Sequence, residues 1–218
     1  MPPPKHPMPA KANLDREFEL ISSNGHLLIA GIDEAGRGAV AGPVYAAAVI
    51  LDLDDALSLS ELVDVDDSKQ KTANQREELY ALITKHSLAF GIGSKPSEII
   101  DRDGIISANA QAMMLAVAQL DPNPEYLLID GRMRLKNLAI RQEPIIRGDA
   151  KSLSIAAASI LAKVSRDRHM IRLAQRFPGY GFERNKGYCT PEHIAALEKL
   201  GPTPVHRYSF APIRTTLL

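Results

Sequence analysis

Tryptophan is missing from this 218-residue chain, aromatic residues make up only 5% of it, and cysteine occurs once. With so few rings available, the core has to be aliphatic, built from Ala, Leu, Ile and Val. The lone thiol, Cys189, excludes an intramolecular disulfide framework and fits a reducing compartment. It stands beside a helix start and reads as an ordinary structural residue. No segment reaches the ~18 consecutive apolar residues of a membrane span. The opening MPPPKHPMPAKAN lacks the apolar stretch of a secretory signal, so residues 1–12 read as a disordered Pro-rich tail and the expected location is cytoplasmic. Net charge is lacking too, because 26 Lys and Arg balance 26 Asp and Glu.

What is present is unevenly distributed. Hydrophobic residues, 45% of the chain, suffice to bury a sizeable core in one domain, expected over 13–218. Residues 51–67, LDLDDALSLSELVDVDD, carry seven acids and no base, whereas residues 131–188 carry 13 Lys and Arg against four acids. A one-sided basic region of this kind can neutralise phosphates while the remaining surface stays acidic. An ordinary solvated helix face rich in arginine has the same composition.

Apolar periodicity predicts the elements. A short helix is expected over 13–22, capped by Asn13, with Leu14, Phe18 and Ile21 on one face. Apolar runs at 27–33 and 44–51 read as a hairpin-like strand pair. Thr72 with Gln75 three residues later is a capping-box pattern opening a helix over 73–86, and 87–93 reads as a strand. Helices are expected at 97–102, 105–120 and from Ser154 to about Arg176, and strands at 126–130 and 143–149. Thr190, Pro191 and Gly201–Pro202 bracket a last helix. Strands come first and then alternate with helices, which predicts an α/β fold: a mixed sheet with helices on its faces.

The chemistry is concentrated in LLIAGIDEAGRGAVAGP, residues 27–43, where an apolar run ends in Asp33 and Glu34 and a glycine-framed arginine follows. Crowded or buried carboxylates are disfavoured unless cations or hydrogen bonds compensate. Asp130, in YLLIDG, is likewise expected to close an apolar strand. Asp149, in IIRGDAKS, lies just ahead of the long helix, either near its positive end or as a plain turn residue. Carboxylates ending neighbouring strands, about 4.8 Å apart, can share a pair of cations about 3.5–4 Å apart. All-oxygen ligation selects Mg²⁺ or Mn²⁺, and the scattered His and single Cys offer no zinc spacing. Successive strand side chains alternate, so Glu34 joins Asp33 only if the strand bends or ends there. Gly36 and Gly38 make such a bend easy, with φ > 0 open to both. Arg37 suits an anionic substrate, Lys69 could touch phosphate from its loop, and Tyr188 could stack on a sugar or base. For Lys69 and Tyr188 an exposed lysine and a structural tyrosine are the plain alternatives.

Seven ordered strings carry a resemblance: AGIDEAGRG at 30–38 with AGPV at 41–44, DSK at 67–69, IDG at 129–131, GDAKS at 148–152, SIAAASILAKVSRDR at 154–168, GYGFERNKGY at 179–188 and GPTPVHRYSF at 201–210. Together they resemble the type 2 ribonucleases H, and among them the bacterial ribonuclease HII branch. The resemblance implies a ribonuclease H-like mixed sheet with a small C-terminal helical extension, about 178–218. It implies Asp33, Glu34, Asp130 and Asp149 as catalytic and metal-binding acids, with two Mn²⁺ or Mg²⁺ ions during catalysis. It also implies that Gly36, Arg37 and Gly38 recognise a ribonucleotide 2′-OH and its phosphate, and that Tyr188 packs on the deoxyribose beyond an RNA–DNA junction. The implied partner is an RNA–DNA hybrid or ribonucleotide-containing duplex, acted on by a monomer. Two positions depart from the pattern: Ala39 stands where the family usually has proline, and Asn185 where it usually has histidine.

Overall fold

The computed structural model describes residues 13–25, 28–62, 65, 71–211 and 213–216. The Pro-rich tail and the DSK segment with Lys69 lie outside the described residues. Five strands form one sheet in the order β3-β2-β1-β4-β5. They are β1 (Ile29–Ala35), β2 (Val44–Leu51), β3 (Ser87–Lys95), β4 (Tyr126–Asp130) and β5 (Arg141–Ile145). The first three are antiparallel neighbours, whereas β4 runs parallel to β1 and β5 parallel to β4. The sheet is therefore mixed, as the alternation of elements predicts.

Strand alternation decides what lies on each face. On one side Ala30, Ile32, Val44, Ala46, Ala48, Ile50, Leu127 and Ile129 pack against α5 (Ile105–Val117). On the other, Ala47, Val49 and Leu51 meet α3 (Ala73–His86) and the long α6 (Leu153–Arg176). Small residues let these layers close. A Cβ on Gly31 would fall 2.1 Å from the Ser154 carbonyl carbon, and one on Gly91 the same distance from the Ala116 carbonyl oxygen. Helix α6 consequently lies directly on β1, its AAAS run buried throughout.

The termini of the helices follow their local chemistry. Thr72 accepts the Gln75 amide and the Gln75 side chain accepts the Thr72 amide, which completes the expected capping box. Ser152 caps α6 at Ile155 N, and Thr190 caps α8 (Pro191–Leu200) with Pro191 just inside. Two further short helices, α4 (Ser97–Asp103) and α7 (Phe182–Asn185), and the single-turn α9 (Ile213–Thr216) complete the half that matters here, with α2 (Ala56–Glu61) preceding α3.

Four local expectations are corrected. Helix α1 spans Asp15–Asn24 and has Leu14, without a side-chain bond, at its N-cap; Asn13 accepts the Asp15 amide in a turn before it. Its buried stripe is Glu17 and Leu20, not the face of Phe18, which is 47% exposed. Glu17 is inward because its Oε1 accepts from Ser152 Oγ at 2.7 Å and Ser154 N at 3.1 Å, tying α1 to the start of α6. The strand expected at 143–149 sits earlier, at Arg141–Ile145, because Arg147 adopts φ 57° and turns the chain into a 3₁₀ turn at Gly148–Ala150. Strand β1 does not end at Asp33 but continues to Ala35, held by its ladder to β2. No helix of the described residues is long and apolar enough to cross a membrane.

Candidate active site

The mixed topology places two acids side by side. Because Ile32 pairs with Ile129 across the parallel β1–β4 ladder, Asp33 and Asp130 follow as neighbours. Both point to the α6 face, where Ser159 hydrogen-bonds Asp33. Asp33 is 5% exposed, and its Oδ1 accepts the Glu34 amide at 2.7 Å. Burial first, then the charges of Glu34 and Asp130, push its carboxyl well above the usual carboxylate range. Asp130 Oδ1 accepts the Gly148 amide at 2.7 Å, which ties the end of β4 to the turn carrying Asp149.

Since β1 runs on through Ala35, Glu34 takes the opposite pleat from Asp33. Its Oε1 accepts from Arg37 Nη1 at 3.0 Å and its Oε2 from Asn109 Nδ2, on α5, at 3.4 Å. The bend anticipated at Glu34 comes after it instead, at Gly36, whose φ is 89°. Gly38 does not use the left-handed region, and a Cβ there would meet nothing within 4 Å. Only one of the two glycines is thus demanded by backbone conformation.

An open cleft of about 540 Å³ gathers Asp33, Glu34, Asp130, Gly36, Arg37, Gly38 and Tyr188. Asp149 is not among the residues lining it; the acid is buried, 7% exposed, in the adjacent 3₁₀ turn. Tyr188 is 38% exposed, with the Arg166 guanidinium 5.4 Å from its ring centre. The cleft is also lined by Arg76, Ser159 and Lys163, which sequence reasoning did not place in a site. Lys163 Nζ and Arg76 both reach Asp167, at 2.7 and 3.6 Å. A signal for the α6 members existed: Ser159 and Lys163 are four apart and so share a helix face. Arg76, from α3, had no such signal.

This donor set fits a hard divalent cation. Three carboxylates crowd one another around a buried Asp33, an arrangement that disfavours the ionised form and that a cation relieves. Among the described residues no three Asp, Glu, His or Cys side chains close into a complete ligand group. Magnesium-type ions keep several waters and use one or two carboxylates plus substrate phosphates, so two adjacent acids are an adequate protein share.

The fold and this cleft define a class: a ribonuclease H-like α/β nuclease, with acids on adjacent central strands under a long helix. The family model described as Ribonuclease HII matches residues 30–213. Ribonuclease HII of Leuconostoc mesenteroides subsp. mesenteroides is 49% identical over 208 residues, covering 95% of this chain and 78% of its own length. That of Geobacter metallireducens is 49% identical over 195 residues, 89% of each chain. In structure, the chain superposes on ribonuclease H2 of Pyrococcus horikoshii with a TM-score of 0.73 and 26% identity, over 86% of this chain and 95% of the other. The chain belongs to the ribonuclease HII family, and it is an endoribonuclease.

Proposed function

We propose that the enzyme hydrolyses the RNA strand of RNA–DNA hybrids and cuts duplex DNA on the 5′ side of embedded ribonucleotides, leaving 5′-phosphate and 3′-OH ends. The observation that carries this reading is the sharing of one cleft by the Asp33–Asp130 pair, the Gly36–Gly38 turn and the exposed Tyr188. A general phosphodiesterase needs the first; a reader of ribose needs the other two. The 2′-OH separates RNA from DNA, and main-chain groups of a glycine turn can reach it without side-chain bulk. A Cβ on Gly38 would meet nothing within 4 Å, so the turn backbone there is open to an approaching substrate.

Asp33, Glu34, Asp130 and Asp149 are the acids we assign to holding Mg²⁺ or Mn²⁺. When bound, such ions acidify water and stabilise charge on the oxygens of the transferring phosphoryl group. The net step adds water oxygen to phosphorus, breaks the bond to the upstream 3′ oxygen and leaves a proton there. Arg37, Arg76 and Lys163 line the cleft as cations for the flanking phosphates, and the Tyr188 ring offers a stacking surface to the sugar beyond the junction. Lys69 is proposed as a further phosphate contact from the family pattern alone.

The test is a labelled duplex with one internal ribonucleotide beside its all-DNA twin, with Mg²⁺, Mn²⁺ or EDTA. One metal-dependent cut 5′ to the ribonucleotide, absent from the twin, is expected. Equal cutting of both duplexes would reassign the enzyme to general DNA cleavage.

A further inference from the structure

The turn proposed to read ribose has nothing rigid in its own sequence: GRGAVAG contains neither proline nor an aromatic residue. Its shape is imposed from outside by two buried arginines. Arg207, wholly buried, donates from Nη2 to Gly36 O at 2.8 Å and to Gly42 O at 2.9 Å. Its Nη1 donates to Arg37 O at 2.9 Å and its Nε to Gly42 O at 3.1 Å. The Arg207 amide adds a bond to Val40 O at 2.8 Å. From α6, Arg166 donates to Pro43 O at 2.9 Å and Ala41 O at 3.2 Å. Gly36 must be glycine partly for this reason, since a Cβ would fall 1.8 Å from Arg166 Nε.

A guanidinium suits this task because its donors form a planar fork and it has no acceptor. One group can therefore collect several carbonyls that would otherwise diverge. With their carbonyls drawn inward, the amides of Arg37 and Gly38 form no hydrogen bond within the described chain. Two successive free amides at a bend make a concavity suited to an electron-rich oxygen. A third brace comes from Gly187, whose carbonyl accepts from Val40 N at 2.8 Å and Ala41 N at 3.2 Å. Asn185 holds that glycine by accepting its amide at 2.8 Å. The proline usual at position 39 is also dispensable here, because the Ala39 amide bonds Gly36 O at 3.3 Å, a bond proline could not make.

We propose that Arg207 is a positioning residue for ribonucleotide selectivity: it holds the 36–42 turn in the shape that exposes the Arg37 and Gly38 amides to the substrate. This rests on the reading of the turn given above. Arg207 touches none of the four acids and does not itself line the cleft; it acts there only through the Gly36 and Arg37 carbonyls, while the cleft cations Arg76 and Lys163 are held by Asp167 instead.

Fluorescence anisotropy in EDTA, where no strand is cut, separates the two parts. The wild-type chain is expected to bind the single-ribonucleotide duplex about fivefold more tightly than its all-DNA twin, the worth of one neutral hydrogen bond. In Arg207→Met the preference falls to within about twofold of unity while affinity for the all-DNA twin stays the same. Arg207→Lys, with a point charge that cannot span three carbonyls, gives an intermediate preference and serves if the Met variant does not fold. A folded variant that keeps the full preference overturns the proposal. So does a parallel loss of affinity for both duplexes, which is the mark of general destabilisation. A wild-type chain with no preference overturns the ribose-reading turn itself, and with it this role.

Discussion

Two imidazoles beneath Tyr188 predict that lowering the pH destabilises this fold. His206 Nδ1 accepts the Thr203 amide at 2.9 Å, so its proton is on Nε2, 3.2 Å from His193 Nε2. His193 Nδ1 lies 2.9 Å from the Tyr188 carbonyl, which can only accept. One neutral tautomer of each ring satisfies these three contacts, and the Thr203 hydroxyl, 2.9 Å from His206 Nδ1, can donate to the same nitrogen. An added proton would set two N–H groups against each other in a pocket otherwise walled by Tyr180 and Phe182. Burial, followed by the neighbouring His193, accordingly lowers the His206 pKa from 6.5 to about 4, and burial lowers that of His193. Between those values the unfolded chain binds a proton that the folded chain refuses, so stability is lost as pH falls through this window. For His206 alone, the change from pH 7.5 to pH 5 amounts to about 2 kcal/mol. Screening from the solvent beside exposed Tyr188 and Tyr208 reduces it to about 1–1.5 kcal/mol. With a urea slope of about 2–3 kcal/mol/M, the unfolding midpoint should move down by about half a molar. His206→Gln, which cannot titrate, should remove that share of the pH slope. An unchanged slope in the variant, or an NMR titration of the His206 ring centred near 6.5, refutes the reasoning.

Three further outcomes are expected. Asp33→Asn should abolish cleavage and leave hybrid binding largely intact, as measured by turnover beside a binding titration; near-normal turnover would remove Asp33 from the chemistry. Gly31→Ala should cost more than about 3 kcal/mol in chemical denaturation, because the added methyl meets α6 backbone rather than a movable side chain; a loss under 1 kcal/mol would mean that the α6–β1 contact is looser than described. Thr72→Ala should cost about 1 kcal/mol through loss of the α3 cap, with hybrid cleavage unchanged at a temperature where both proteins are folded.

Local chemistry was legible in the sequence and long-range placement was not. The α3 boundaries at Ala73 and His86, and the start of α8 after Thr190, match the predicted spans because a capping box and a Thr-Pro start are decided within one turn of chain. Burial of α1 was misjudged because Glu17 turns inward to groups on α6, more than a hundred residues away, that no periodicity reveals. The apolar runs marked Asp33 and Asp130 as unusual, but only the parallel β1–β4 pairing makes them neighbours. Glu34 illustrates the reverse: alternation correctly warned of its opposite pleat, while the ladder to β2 decided that the strand would continue. Arg166 and Arg207 stand inside two of the resembling strings, at 154–168 and 201–210, but neither string says what they hold. Their partners are carbonyls, which every residue possesses, so nothing in the string of side chains announces them.

The clamp on the 36–42 turn also orders events in time. Synthesis delivers Asp33, Glu34, Asp130 and Asp149 well before Arg207, the last of the groups that gather the turn's carbonyls. A chain still leaving the ribosome with α6 in place holds every acid and the Arg166 brace but lacks the Arg207 bonds to Gly36, Arg37 and Gly42. A stop codon shortly before position 207 accordingly removes the clamp together with Phe210 and Ile213 of the cluster beneath the turn, although it removes none of the acids.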